Sequence, residues 1–119
     1  MKVIVYYINQ KDKEFLALAN RKKHKITIIA GPLNNDNVRF AEEKDAAIII
    51  NPKNQLSDNL ILNLISFGIK YLLFRTHNQF PVNTSIIKDK GLKYLVVTAV
   101  DSRLAASQII DALNVWEKK

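Results

Sequence analysis

Residues 68–83 read GIKYLLFRTHNQFPVN, an apolar run that ends on Arg75, Thr76, His77 and Asn78. A guanidinium, a hydroxyl, an imidazole and an amide in succession can direct charge-assisted donors at a small anion such as a carboxylate. Another apolar run ends on NPKNQ, which supplies Asn51 and Lys53. Placed at one edge of one sheet, these residues form a candidate ligand-binding set. A solvated loop whose Arg75 pairs with a surface carboxylate accounts for the same residues at least as well.

Other chemistries lack their residues. The chain has no cysteine, which excludes disulfides, thiolate nucleophiles and cysteine-ligated metals. His24 and His77 stand on different segments with no carboxylate pattern around either, so no metal site is expected and His77 reads first as a loop residue with a satisfied hydrogen bond. A flavin or nucleotide phosphate needs a glycine- or hydroxyl-rich first loop, and residues 9–13 contain no glycine, serine or threonine. A phospho-acceptor receiver domain needs clustered carboxylates for magnesium; the equivalent positions are Asn9, Gln10, Asn51 and Lys53, with only Asp12 acidic nearby. No G-x-G-x-x-G or P-loop occurs, and no nucleophile–base pair stands out in the sequence. The expectation is therefore no catalytic residue and no cofactor.

The net charge of +7 and pI of about 9.7 favour an anionic partner. The densest basic run, RKKHK from Arg21 to Lys25, suits a phosphate-backbone patch, but reads better as the exit from a helix C-terminus, where cations complement the macrodipole. Nucleic acid ranks last among partners. No apolar run approaches the roughly 18 residues that cross a bilayer. The opening MKVIVYYINQ has one lysine and no small-residue cleavage site after it, so no signal peptide is read and a cytoplasmic protein is expected.

The elements that must position these residues alternate. Apolar runs at 2–8, 25–30, 45–50, 70–74 and 93–97 are rich in β-branched and aromatic residues, as strands covered on both faces are. Segments of helical length separate them. Three share one start signal: Leu33–Asn34, Leu56–Ser57 and Val82–Asn83 each put an apolar residue before an N-cap, with Val38, Ile61 and Ile87 placed to close a hydrophobic staple. Gly68 and Gly91 precede the near-copies IKYLLF and LKYLVV and read as left-handed helix ends. The last helix, about Ser102 to Glu117, carries the stripe Ala106, Ile109, Ile110, Leu113 and Trp116, read as core or interface contact. The prediction is one α/β domain over 1–119: a three-layer αβα, flavodoxin-like (Rossmann-like) fold with a five-stranded parallel sheet in the order 2-1-3-4-5.

From about Lys2 to Asn114 the chain resembles the substrate-binding domain of D-2-hydroxyacid dehydrogenases, the D-lactate dehydrogenases most of all. The residues that carry the resemblance are DKEFLALAN, KDAAIIINPKNQLSDNLILNLISFGIKYLLFR and VNTSIIKDKGLKYLVVTAVDSRLAASQI. The resemblance implies an R-x-x-G after the fourth strand, where backbone amides cradle the substrate carboxylate. Here Arg75 is kept and Asn78 stands at the glycine, which alters the cradle because non-glycine residues disfavour positive φ. The family's aspartate after valine is Asn83, still a good cap. Its substrate-contacting tyrosine in Y-S-P is replaced, the chain reading Val100-Asp101-Ser102.

The family's nucleotide-binding domain, with its glycine fingerprint and catalytic arginine, carboxylate and histidine, has no counterpart in these 119 residues. The resemblance thus implies a stand-alone, non-catalytic homologue of the substrate domain that binds a small carboxylate or 2-oxo acid through Arg75 and its neighbours. A protein-interaction module is the alternative, self-associating or serving as partner subunit to a dehydrogenase whose NAD domain is on another chain. Leu104 and Val115, roughly opposite the apolar stripe of the last helix, would serve that role.

Overall fold

A computed structural model describes residues 1–50, 56–76 and 84–118. The strands are β1 (Lys2–Tyr6), β2 (Lys25–Ile29), β3 (Ala46–Ile50), β4 (Tyr71–Arg75) and β5 (Lys93–Val97). The helices are α1 (Gln10–Asn20), α2 (Asp58–Ser66), α3 (Thr84–Asp89) and α4 (Ser102–Glu117). All pairings are parallel and the order is β2-β1-β3-β4-β5, as the alternation of segments predicts.

The two-residue period of a strand divides the core in two. Ile4, Tyr6, Ala47, Ile49, Leu72 and Phe74 point to the face covered by α2 and α3, meeting Leu60, Ile61, Leu64 and Ile87. Val3, Val5, Ile48, Ile50 and Leu73 point to the other, meeting Leu16 of α1 and the α4 stripe Ala106, Ile109, Ile110, Leu113 and Trp116. The central strands read as unbroken apolar runs because both faces are covered. β2 is an edge strand and only half buried after its exposed first residue.

Local chemistry sets the helix limits. The Ser57 side chain caps α2 by accepting from the Leu60 N–H at 3.2 Å, and the staple residues Leu56 and Ile61 are both buried in one cluster. Gly68 and Gly91 have φ of 109° and 73° and end α2 and α3 as expected. Asp101 caps α4 through the Arg103 N–H, so α4 spans the predicted residues.

Two expectations are corrected. The segment after Asn34 is not an α-helix but a short 3₁₀ turn, Val38–Ala41. Asn34 Oδ1 instead accepts from the N–H groups of Asp36 and Asn37 at 2.8 and 3.0 Å, a local bond that competes with helix propagation. The first strand stops at Tyr6, two residues early, because Tyr7 takes a φ of 70°. Asn83, the third predicted cap, lies outside the described residues, although α3 begins at the next position.

Candidate functional site

In an open parallel sheet, ligands bind beyond the carboxyl ends of the strands, which is where β4 delivers Arg75. Tyr71, Leu73 and Arg75 alternate onto the face covered by α1 and α4. On α1, Asp12, Leu16 and Asn20 are all buried, and their i, i+4 spacing puts them on one inward stripe. The two charges meet: Arg75 Nη1 lies 2.6 Å from Asp12 Oδ2, with both residues about 5% exposed. Arg75 Nη2 donates to the Val100 carbonyl at 3.1 Å and, more weakly, to that of Ala99 at 3.5 Å.

Asp12 is held from its own helix as well. Asn9 is the N-cap of α1, its Oδ1 accepting from the Asp12 N–H at 2.8 Å, and the first turn of a helix favours a negative charge. Burial raises the pKa of the Asp12 carboxyl, but the Arg75 guanidinium, with Ser102 and Asn9, outweighs it and holds the group below its ordinary range. The Asp12 carboxyl is therefore ionised at neutral pH.

This geometry revises the expected part of Arg75. Both terminal nitrogens of its guanidinium are engaged within the chain, Nη1 by a buried carboxylate rather than a surface one and Nη2 by backbone carbonyls. Arg75 Nε and Asp12 Oδ1 are buried with no hydrogen-bond partner among the described residues. The cavity lined by Asp12, Arg75, Ile50 and Ser102 measures about 10 Å³, room for about one water and too little for a carboxylate. Arg75 is placed to tie α1, β4 and the loop entering α4 to one another.

Thr76 follows at the same strand end, buried, with its N–H donated to the Val97 carbonyl at 3.1 Å. Asn51, Lys53, His77 and Asn78 lie outside the described residues. Of the candidate set, the structure thus places Arg75 and Thr76 side by side at the carboxyl end of β4. Sequence reasoning missed Asp12 as the partner of Arg75, and it missed Tyr7. A bulky residue at φ 70° is a backbone outlier; this one ends β1, beside the switch point of the strand order.

The basic run is the turn after α1: Arg21 is the left-handed C-cap, its N–H donated to the Ala17 carbonyl. His24 is buried, its Nε2 2.8 Å from Asn114 Oδ1 and its Nδ1 3.5 Å from Glu117 Oε2. That is the arrangement of a core histidine with its hydrogen bonds met. No group of three or more metal-ligating side chains occurs among the described residues, and no described helix is long and apolar enough to cross a membrane.

Comparison with solved structures identifies the scaffold. The chain superposes on the D-lactate dehydrogenase of Salmonella with a TM-score of 0.75 at 24% identity, covering 85% of this chain and 31% of that one. The apo D-lactate dehydrogenase of Escherichia coli gives 0.75 at 26% identity, over 85% and 32% of the two chains. The D-isomer specific 2-hydroxyacid dehydrogenase of Lactobacillus delbrueckii ssp. bulgaricus, in an NAD-complexed form, gives 0.72 at 17% identity over 97% and 35%. The structural neighbours are thus D-lactate and D-2-hydroxyacid dehydrogenases, and the chain spans about a third of their length. No protein-family model and no curated protein matches the chain.

Proposed function

We propose that the chain is a relative of the dehydrogenase substrate domain that binds a small carboxylate or 2-oxo acid and does not itself catalyse hydride transfer. The observation that carries the reading is the scaffold shared with the D-lactate dehydrogenase of Escherichia coli, whose sheet end is held here by the buried Asp12–Arg75 pair. Arg75 acts as the clamp that fixes the strand ends. Recognition of the anion falls to the side chains that follow β3 and β4 in sequence, Lys53, His77 and Asn78, in a protein of net charge +7 that attracts anions.

Calorimetric titration with pyruvate, D-lactate, phosphate and NADH at low salt tests this. Saturable binding of the oxo acid is expected, lost in Lys53→Ala, together with no pyruvate-dependent oxidation of NADH. Equal binding of phosphate, or none of the oxo acid, contradicts the ligand class; turnover of NADH contradicts the non-catalytic reading.

A second reading, self-association, is supported by the exposed apolar side chains Leu95, Leu104 and Val115 on β5 and α4. It predicts a sedimentation coefficient that rises with concentration and falls back in Val115→Glu. A concentration-independent monomer rules it out.

A further inference from the structure

A groove of about 500 Å³ runs between α1 and the free edge of β2, and Arg75 is not among its lining residues. Its floor is apolar, built by Leu16 and Ala17 of α1 and by Ile26 and Ile28 of β2. Lysines line it: Lys13 on the first turns of α1, and Lys22, Lys23 and Lys25 in the turn and at the start of β2. Because α1 returns from the carboxyl ends of the strands to their amino ends, these cations stand at opposite ends of the groove. Among the described residues no carboxylate lines it, although Lys23 Nζ lies 3.9 Å from Glu117 just outside.

The edge itself has directed valences. β2 pairs with β1 alone among the described residues. Lys25 donates its N–H to the Met1 carbonyl, and Ile29 accepts from the Tyr7 N–H. In a parallel ladder, residues bonded to one neighbour alternate with residues turned to the other side. Ile26 and Ile28 therefore turn their backbone N–H and C=O groups away from β1, while their side chains floor the groove.

We infer that this edge takes up an extended acidic peptide, which adds as a sixth strand beside β2. The backbone bonds to Ile26 and Ile28, alternate apolar side chains enter the groove, and carboxylates meet the lysines at its ends. Charge complementarity selects the occupant: the same edge of a second copy would set these lysines against their like, and the one aromatic ring among the described lining residues, His24, is buried and bonded to Asn114, so none is free to stack the bases of a single-stranded nucleic acid. Edge lysines also deter unwanted pairing; the same lysines that repel basic strands attract an acidic one.

The test uses the full chain and a fluorescein-labelled ten-residue peptide alternating glutamate and valine. Its controls are the same peptide N-methylated at alternate positions, a ten-nucleotide single strand and anionic vesicles. Expected are saturable anisotropy, amide shifts centred on Ile26 and Ile28, and at least tenfold weaker binding to the N-methylated peptide. The same loss is expected with Lys13→Glu/Lys25→Glu, both sites being exposed and safe for folding. Equal affinity for the N-methylated peptide would reduce the effect to charge alone and overturn strand addition. Tighter binding of the oligonucleotide or the vesicles to these lysines overturns the peptide assignment. Absence of peptide binding leaves the lysines as edge guards, and overturns it too.

Discussion

Arg75 Nη1 and Asp12 Oδ2 stand 2.6 Å apart inside the protein, and this contact joins the first helix to the fourth strand at the carboxyl end of the sheet. Removing one partner of such a pair leaves a buried charge uncompensated, at a cost of about 3–5 kcal/mol. Asp12→Ala and Arg75→Ala should each lower the urea midpoint accordingly, whereas the double replacement Asp12→Leu/Arg75→Met should recover most of the loss. Additive losses in the double variant would show that the two side chains act independently.

The two helix-ending glycines both leave room for a Cβ but differ in backbone conformation. At Gly91, φ is 73° and nothing lies within 4 Å, so Gly91→Ala bears only the backbone cost of the left-handed region, about 1–2 kcal/mol. Gly68 has φ of 109°, outside the narrow range open to other residues, and Gly68→Ala should cost more. Thermal unfolding checks this: a drop of roughly 4–8 °C per kcal/mol is expected for a small domain, and equal stability of the two variants would contradict the assignment.

Burial pushes the Tyr6 phenol up to about 12, while its hydroxyl donates to the Asn37 carbonyl at 3.1 Å. A raised pKa in the folded state means that the unfolded chain loses this proton first. The Tyr6 contribution is intact below about pH 10 and is lost as pH rises from there toward 12. Absorbance titration near 295 nm should show one of the four tyrosines ionising last, and Tyr6→Phe should remove that late step.

Acid acts in the opposite sense. Asp12 is held below its ordinary pKa by Arg75 against the opposing effect of burial, and Glu117 by its hydrogen bond to the Met1 ammonium and the charges of His24 and Lys23. The unfolded chain takes up these protons first, so stability present at neutral pH falls once the medium drops below about pH 4 and continues to fall through the folded-state values. Urea midpoints measured between pH 7 and pH 2.5 should stay level and then decline, with a shallower decline in Glu117→Gln.

The legible parts of the fold are those whose signals are local. Ser57 with Leu56 and Ile61, and Gly68 and Gly91 before near-identical strands, fix helix limits within a few residues, and the apolar runs then fix a parallel sheet. Asn34 offers the same local pattern as Ser57 but misleads, because Asn34, Asn35, Asp36 and Asn37 bond to nearby backbone better than they extend a helix. The site was legible only as a location. Arg75 reads from its neighbours either as a donor to a ligand or as the partner of a surface carboxylate; its partner in the structure, Asp12, is buried and distant in the sequence. A signal did exist: Asp12 shares the i, i+4 stripe of Leu16 and Asn20, and Arg75 shares the face of Tyr71 and Leu73, so two opposite charges point into one layer and must pair there. Tyr7 carries no such signal, since nothing in its neighbours demands a positive φ.

The central claim is that a small carboxylate is held by residues following β3 and β4 while Arg75 stays locked to Asp12. Titrating the ¹⁵N-labelled protein with pyruvate tests it most directly, following the backbone amides together with the Arg75 Nε–H resonance. Saturable shifts in the segments after Ile50 and Thr76, with the Arg75 signal and its protection from exchange unchanged, are the predicted result. A titration in which Arg75 Nε–H moves most, or in which no amide of those segments shifts, would contradict the account.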